Sequence, residues 1–331
     1  MEKGCSAGKT LSVIVPAYNE EGNLLPFYEA LKPVLMRLPV HSEILFVNDG
    51  SDDGTSQRIA ELALKDRAVK GVNLSRNFGS HAAILAGLRL STGNAAVVIS
   101  ADLQDPPEII AELLEKWENG AHVVWAVRKD RQDPFLKKLF AKLFYFMLRK
   151  TALPNYPAQG MDFGLFDRRV IDALSRIKEM NYFIFGVIVW MGFRQEEVPY
   201  SRRARTRGSS KWPFWKRVKA ALDAIISFSY VPIRFIVYSG LAISLLSVVG
   251  AIILIVNRVV FGLGAAGWPS LMVTILFLGG VQLVTLGMLG EYIWRGNDQA
   301  KGRPQYIVMD KINFQEEETN ESSAYQNLDR G

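Results

Sequence analysis

Residues 95–107 read AAVVISADLQDPP, and this stretch decides the fold. Its first five residues are an apolar run that predicts a buried strand. Asp102, Gln104 and Asp105 follow the strand, and the two prolines favour the start of a helix. Carboxylate and amide oxygens are the ligands that hard divalent cations take, often together with substrate phosphates. The stretch therefore predicts a strand-to-helix turn that is either a metal site or an acidic surface turn.

The same alternation of short β-branched runs and longer amphipathic runs extends from Leu11 to about Val127. It predicts an α/β fold with a mostly parallel sheet and helices on both faces. The predicted strands are residues 11–16, 43–48, 69–74, 95–100 and 122–127. The predicted helices are residues 23–37, 55–64, 81–90 and 107–117.

Polar clusters follow the first four predicted strands at their carboxyl ends. They are YNEE (18–21), NDGSDD (48–53), SRNFG (75–79) and the turn that begins at Ser100. Sheets of this kind bind ligands beyond the carboxyl ends of their strands. Four clusters at one edge predict a binding site, which favours the metal-binding interpretation of the turn.

The net charge of +6 is typical of proteins that bind an anionic partner, either nucleic acid or an anionic membrane. The basic residues cluster between 202 and 219, just before an apolar run, and no nucleic-acid-binding motif is present. We therefore expect a membrane partner and no nucleic acid.

The single cysteine, Cys5, excludes an internal disulfide and fits a reducing cytoplasm. The N-terminus lacks the pattern of a cleaved signal peptide.

Two uncharged apolar runs, about 235–256 and 269–290, are each long enough to cross a bilayer core of ~30 Å. They predict two transmembrane helices, with a buried soluble hairpin as the alternative. The link between them holds one charge, Arg258, whereas basic residues flank the other ends. The positive-inside rule then places the N-terminal domain and both termini in the cytoplasm, in a multi-pass inner-membrane protein.

The expected organisation has five parts. They are a disordered tail (1–10), a cytoplasmic domain (11–211), a juxtamembrane interfacial helix (212–232), two spans (233–291) and a cytoplasmic tail (292–331) that is disordered after Asp310. A second basic amphipathic segment, 134–150, either packs on the domain or lies in the membrane interface.

The motifs resemble those of family 2 glycosyltransferases of the polyprenyl-phosphate type. This group includes the bactoprenol glucosyl transferases and is related to dolichyl-phosphate mannose synthases. The matching stretches are VPAYNEE (15–21), VNDGS (47–51), SRNFG (75–79), ADLQDPP (101–107), GSSK (208–211), GEY (290–292) and RP (303–304). The resemblance covers nearly the whole chain and implies a glycosyltransferase A-type Rossmann-like sheet.

The same resemblance implies the reaction. It is inverting transfer of a hexose, glucose in the first instance, from a UDP-sugar to undecaprenyl phosphate at the cytoplasmic membrane face. The lipid-linked sugar then serves the modification of O-antigen or another cell-envelope glycan. Homo-oligomers are compatible with the family analogy.

The resemblance also assigns roles to individual residues. Residues expected to line the nucleotide-sugar are Pro16, Tyr18, Glu20, Asp49, Arg76, Gly79 and Ala101. Asp49 would accept a hydrogen bond from the uracil N3–H. Asp102 and Gln104 would hold Mg²⁺ or Mn²⁺ against the diphosphate and stabilise the leaving group.

The acceptor side is assigned in the same way. Asp162 matches a residue proposed as a base in relatives, or it orients the acceptor or the sugar. Arg128 and Arg131 are expected to bind phosphate through their guanidinium groups, and for Arg128 we expect a catalytic role. Ser209 and Lys211 lie in a loop that either binds the same phosphate or is attracted to anionic lipid headgroups. For Arg202 and Arg203 we expect a place at the lipid surface.

Two positions depart from the family's pattern. Ser100 stands where the first Asp of Asp-x-Asp is usual, which removes one negative charge from the metal site; we expect activity with altered metal affinity. Gly164 stands where an Arg often follows Asp-Phe, beside Asp162.

Four alternatives remain open. The donor is UDP-N-acetylhexosamine, a UDP-aminopentose or GDP-mannose, or the protein is a non-catalytic membrane scaffold that binds a nucleotide-sugar. A processive polysaccharide synthase is disfavoured, because the chain lacks a Gln-x-x-Arg-Trp motif and has too few spans.

Overall fold

A computed structural model describes residues 8–129, 146, 149–150, 153–157, 161, 163–177, 183–203, 231–261 and 267–314. The chain divides into two compact units. The first comprises Met1–Lys178, Tyr182–Ala221 and Pro304–Gly331, and the second comprises Glu179–Asn181 and Leu222–Arg303. Most of the expected interfacial helix 212–232 and of segment 134–150 lies outside the described residues.

The first unit begins with the predicted alternation. Its elements are β1 (Thr10–Ala17), α1 (Glu21–Leu35), β2 (His41–Asn48), α2 (Thr55–Lys65), β3 (Val69–Leu74), α3 (Ser80–Leu90), β4 (Ala95–Val98), a 3₁₀ turn (Pro107–Ile109), α4 (Ile110–Glu118) and β5 (Val123–Arg128). All five predicted strands and all four predicted helices are confirmed, with ends that shift by one or two residues. The fourth helix starts as the 3₁₀ turn, as expected for consecutive prolines at a helix start.

Further elements complete this unit. They are β6 (Phe163–Asp167), α5 (Arg168–Ser175), α6 (Ile184–Trp190), β7 (Gln195–Tyr200) and β8 (Val308–Ile312). The described strands form one sheet in the order β7-β5-β6-β4-β1-β2-β3-β8. β6 pairs antiparallel with β4 and β5, and β8 pairs antiparallel with β3, whereas the other ladders are parallel. The sheet is therefore mixed. Its parallel ladders outnumber the antiparallel ones, which agrees with the predicted mostly parallel sheet.

Both faces of the sheet are buried, as the near-continuous apolar strands require. On one face, Val13 and Phe46 belong to a core cluster with residues of α1, α2 and α4, and the Phe46 ring meets Phe27 edge-on. On the other face α3 lies so close to β1 that a Cβ at Gly87 would stand 2.3 Å from Ile14 Cγ2.

Strand β8 corrects the expectation for the C-terminal region. The chain was predicted to be a tail from residue 292 and disordered after Asp310. Instead Asp310 and Lys311 pair with Asn73 and Val72 of β3, and Asn313 Nδ2 donates to the carbonyl of Val69 at 2.7 Å. The short polar sequence VMDKI carries too weak an alternation to predict a strand, but it fits an edge position where one side faces solvent.

The second unit contains two long helices, α7 (Val231–Phe261) and α8 (Trp268–Ala300). Among the described residues, one helical segment, Leu271–Ala300, is long and apolar enough to cross a membrane, and an 18-residue stretch within it has a mean hydropathy of 2.0. The apolar part of α7, Ile236–Gly250, is shorter. The predicted pair of spans is therefore supported in one helix, and α8 runs ten residues past the predicted end at 290.

Candidate active site

The loops with the predicted site residues begin at one edge of the sheet. In the parallel register, Ala17 of β1 pairs with Asn48 of β2, and Asn48 pairs with Asn73 of β3. The amide of Ile99, just past β4, still donates to the Ile14 carbonyl at 3.0 Å. The loops after β1, β2, β3 and β4 therefore start side by side, as the parallel sheet predicts.

The loop after β1 is tied to the loop after β2 by reciprocal hydrogen bonds. The Asn19 amide donates to Ser51 Oγ at 2.9 Å, and the Asp52 amide donates to Asn19 Oδ1 at 3.0 Å. Asn19 has a φ of 53°, a left-handed conformation that Asn adopts more readily than most residues. The neighbouring Tyr18 and Glu20 are half-buried, so each presents part of its side chain to solvent at this edge.

Asp49 joins the loop after β2 to the loop after β3. Its carboxylate is 3% exposed and accepts from the amides of Phe78 (2.7 Å) and Gly79 (2.9 Å). Burial raises the pKa of Asp49, although these two hydrogen bonds and the nearby Arg76 oppose the shift. Each carboxylate oxygen has two lone pairs and so keeps one for a further donor.

Arg76 and Gly50 form the other side of this junction. The Arg76 guanidinium lies 4.2 Å from the centre of the Phe78 ring, a cation–π contact. Gly50 has a φ of 62°, and a Cβ there would stand 2.3 Å from the Arg76 carbonyl carbon. The two loops therefore touch backbone to backbone, and only glycine fits at residue 50.

The turn after β4 is held by its own hydrogen bonds. Ser100 Oγ lies 2.9 Å from Asp102 Oδ1 and 3.0 Å from Asp105 Oδ2, and the Gln104 amide donates to Asp102 Oδ1 at 3.2 Å. Ala101 is buried, and Leu103 has a left-handed φ of 57° that closes the turn. Ser100 thus occupies the place of the usual acid and links the two acids that follow.

Asp105 anchors this turn to β7 and the residues after it. Tyr200 donates its hydroxyl to Asp105 Oδ1 at 2.6 Å. Arg202 Nε lies 3.2 Å from the same oxygen, and Arg202 Nη2 lies 4.0 Å from Asp102 Oδ2. The expectation that Arg202 faces the lipid surface is therefore wrong, because its partly buried guanidinium stands against the acidic turn. Arg203 instead pairs with Glu108 at 3.1 Å on an exposed surface.

Tyr200 and Arg202 are the residues of this site that the sequence analysis missed. Strand β7 reads QEEVPY, and its charged residues and proline hide the strand pattern. β7 pairs in parallel with β5, which brings its end to the edge where the turn lies. The only sequence signal for these two residues is a Tyr two residues before an Arg-rich run. That signal does not show that Asp105 is their partner.

Arg128 ends β5 directly opposite Tyr200 and is half-buried. It therefore lies at the same edge as the acidic turn. The other predicted acceptor residues, Arg131, Asp162, Ser209 and Lys211, lie outside the described residues. At Gly164 of β6 a Cβ would stand 2.8 Å from the Val124 carbonyl and 2.9 Å from the Trp125 ring. The departure from the family's Arg at this position is thus matched by the packing of Trp125.

The donor set of the turn fits a divalent cation that is shared with a substrate. Among the described residues, no three His, Cys, Asp or Glu side chains group as a metal site. Asp102 and Gln104 supply a carboxylate and an amide oxygen, and Asp102 is oriented by Ser100 and the Gln104 amide. Mg²⁺ and Mn²⁺ take such oxygen ligands and complete their shells with phosphate and water.

Replacing Ser100 by Asp should tighten metal binding and weaken the metal-free fold. A third carboxylate beside Asp102 and Asp105 adds like-charge repulsion, which we expect to cost about 1–3 kcal/mol of unfolding free energy without metal. The added charge should also raise Mn²⁺ affinity roughly tenfold. Thermal melts in EDTA and in Mn²⁺, with Mn²⁺ titration by calorimetry, measure both effects.

Ser100→Ala is the control for this change, because it removes the hydroxyl without adding charge. It should lower stability slightly in both conditions. Unchanged Mn²⁺ affinity in the Ser100→Asp protein would place the cation away from this turn.

The chain is similar to known glycosyltransferases. Residues 12–175 match the model of Glycosyl transferase family 2. An uncharacterized glycosyltransferase of Synechocystis sp. is 44% identical over 91% of this chain and 95% of its own length. The bactoprenol glucosyl transferase of Shigella phage SfII is 41% identical, covering 90% of this chain and 97% of the phage protein. A prophage bactoprenol glucosyl transferase homolog of Escherichia coli K12 is 39% identical, covering 90% and 98%.

Among solved structures, glucosyl-3-phosphoglycerate synthase from Mycobacterium tuberculosis, in complex with Mn²⁺, UDP-glucose and phosphoglyceric acid, aligns with a TM-score of 0.49. It is 17% identical and covers 67% of this chain and 79% of that one. The relatives at about 40% identity, matched almost end to end, decide the assignment: the chain belongs to the family 2 glycosyltransferases, and proteins named bactoprenol glucosyl transferase are among its relatives.

Proposed function

We propose that this protein transfers glucose from UDP-glucose to undecaprenyl phosphate at the cytoplasmic face of a membrane, with inversion at the sugar C1. The single observation that carries the proposal is the junction of three polar loops at one sheet edge, with the Asp102 turn beside them. Relatives named for transfer to bactoprenol support a lipid acceptor. The apolar segment Leu271–Ala300 supports membrane association.

The donor would lie across the first three loops. Asp49 keeps lone pairs for the uracil N3–H while its carboxylate holds the amides of Phe78 and Gly79. The half-buried Tyr18 and Glu20, together with Pro16, would contact the uridine and ribose. Arg76, fixed over Phe78, would close the base pocket beside Gly79. A pocket built this way recognises a pyrimidine by a charged acceptor rather than by shape alone.

The diphosphate would lie at the turn after β4. Asp102 and Gln104 would hold Mg²⁺ or Mn²⁺, which when bound neutralises charge on the departing UDP. Ser100 and the Gln104 amide orient the Asp102 carboxylate. Arg202 lies beside the turn and would add a positive charge there while the leaving group develops its negative charge.

The acceptor phosphate would enter from the face of the sugar opposite UDP. Its oxygen forms a bond to C1 while the bond from C1 to the β-phosphate oxygen breaks, and UDP leaves with the electron pair. A phosphate monoester is largely ionised at pH 7, so a strong base is not required. Asp162 would orient the acceptor or the sugar. Arg128, and with it Arg131, Ser209 and Lys211, would bind the lipid phosphate.

We further propose that α7 and α8 form a two-span hairpin, with the catalytic domain and both termini cytoplasmic. The charge asymmetry around the two apolar runs supports this orientation. Cysteine accessibility at introduced sites in the 262–266 link tests it: the link should react with a membrane-impermeant reagent from outside whole cells.

The reaction is tested with the purified full-length protein, UDP-glucose, undecaprenyl phosphate and Mg²⁺ or Mn²⁺. A lipid-linked glucose should form in proportion to UDP released. UDP binding without any lipid-linked sugar would favour the non-catalytic scaffold, which the missing acid at Ser100 motivates. Running UDP-N-acetylglucosamine, a UDP-aminopentose and GDP-mannose in parallel decides the donor.

A further inference from the structure

Strand β8 lies beside the nucleotide-binding edge, although it follows the long apolar helix α8 in the chain. Its residue Asp310 pairs in register with Asn73 of β3. Asn73 is 3% exposed, and Asn48, its neighbour on β2, is 4% exposed. Two buried amides beside a carboxylate need a defined set of partners, because an unsatisfied buried polar group is costly.

The hydrogen bonds between these residues all run in one direction. The Ser51 amide donates to Asn48 Oδ1 at 3.0 Å, Asn48 Nδ2 donates to Asn73 Oδ1 at 2.8 Å, and Asn73 Nδ2 donates to Asp310 Oδ2 at 2.8 Å. We call these four residues the Asp310 relay. The relay ends at the loop that carries Asp49 and Ser51.

The carboxylate decides the direction of the relay. An Asn side chain can turn by 180° and exchange its oxygen for its NH₂ group. An ionised Asp accepts hydrogen bonds only, so Asp310 binds the NH₂ group of Asn73 and leaves the Asn73 oxygen for Asn48. Asn48 in turn must present its own oxygen to the Ser51 amide. A charged acceptor also makes the stronger hydrogen bond.

A second contact links the same C-terminal segment to the neighbouring loop. The amide of Ser75, which begins the SRNFG loop, donates to the Ile307 carbonyl at 3.0 Å. Farther from this loop, the Ile312 side chain packs against Gly71 of β3. A Cβ on Gly71 would stand 3.1 Å from Ile312 Cδ1. The segment therefore contacts the start of the SRNFG loop directly and is linked to the loop of residues 48–53 through Asn73 and Asn48.

We propose that Asp310 is a positioning residue for nucleotide binding, which acts through Asn73 and Asn48 on the loop of residues 48–53. The proposal rests on the proposed UDP-sugar function, because it assigns that loop to uridine. It gives the C-terminal strand a role in substrate affinity.

The test compares Asp310→Ala with Asp310→Asn in the full-length protein. Asn keeps an oxygen acceptor for Asn73, whereas Ala leaves its NH₂ group without one. Met309→Ala is the matched control, because Met309 is an exposed neighbour on the same strand. If the alanine variant does not fold, Asp310→Ser, which is too short to reach Asn73, takes its place under the same criteria.

Three measurements test this proposal separately from the proposed function. Amide hydrogen exchange at Ser51 without nucleotide should be about tenfold faster in Asp310→Ala and unchanged in the other two variants. The Kd for UDP by calorimetry should rise about five- to tenfold in Asp310→Ala and less than about twofold in Asp310→Asn. The kcat at saturating UDP-sugar should stay within about twofold, since the relay does not touch the reacting atoms.

Unchanged Ser51 exchange in Asp310→Ala overturns the relay. Faster exchange with an unchanged UDP Kd overturns the positioning role. If the wild-type protein does not bind UDP, the proposed function fails, and the role in UDP binding fails with it, whereas the Ser51 result still decides whether the relay exists.

Discussion

Replacing Asp102 by Asn is expected to lower the rate of sugar transfer by roughly a thousandfold, with little change in thermal stability. The Asn oxygen still accepts from Ser100 Oγ and from the Gln104 amide, which are the bonds that hold Asp102 Oδ1. The turn should therefore keep its shape. What is lost is the negative charge that would bind the cation at the diphosphate, and with it the stabilisation of the departing UDP. Turnover is measured as lipid-linked glucose formed with saturating Mn²⁺.

Glu112→Gln is the matched control for Asp102→Asn. It makes the same change of charge at an exposed residue of α4 and should keep wild-type turnover. The UDP Kd measured without metal should be similar in all three proteins, because uridine would be held by the other loops. Wild-type turnover in the Asp102→Asn protein would show that the cation, or the diphosphate itself, binds elsewhere.

The central sheet could be predicted because its strands are buried on both faces. Runs such as residues 44–47 and 95–99 are apolar throughout, and polar loops separate them from amphipathic helices. The position of the site followed from the same pattern, since parallel strands bring their carboxyl ends to one edge. For this reason the sequence alone predicts that the loops of Asn19, Asp49 and Ser100 lie together.

The outer strands could not be predicted from pattern alone. β7 and β8 are short and rich in polar residues, because each lies at an edge of the sheet and buries less of its surface. Their pairing depends on contacts far away in sequence: Asp310 meets Asn73, and Tyr200 meets Asp105. A local pattern carries no information about such partners. The misplacement of Arg202 has the same cause, since a run of arginines before an apolar segment also fits a lipid surface.

Gly50→Ala is expected to have the second large effect, a loss of about 2–4 kcal/mol of unfolding free energy together with at least a tenfold weaker UDP affinity. The left-handed φ of 62° accounts for about 1 kcal/mol of this cost. The remainder comes from the added Cβ, which would stand 2.3 Å from the Arg76 carbonyl carbon and 2.6 Å from the Asn77 nitrogen. These are backbone atoms, so the two loops must separate to admit the methyl group. Their separation would strain the bonds from Asp49 to Phe78 and Gly79.

Gly192→Ala separates the two causes. Gly192 also has a left-handed φ, 72°, but a Cβ there meets no heavy atom within 4 Å. Gly192→Ala should lower the unfolding free energy only by the cost of the left-handed conformation, about 1 kcal/mol, and leave the UDP Kd unchanged. Chemical denaturation and UDP calorimetry on both variants give the comparison. If Gly50→Ala matched Gly192→Ala in both measurements, the contact between the two loops would not hold the nucleotide pocket together. If Gly50→Ala instead lost more UDP-binding free energy than unfolding free energy, the effect would lie at the junction of Asp49 with the SRNFG loop. This is where the uracil ring is proposed to bind.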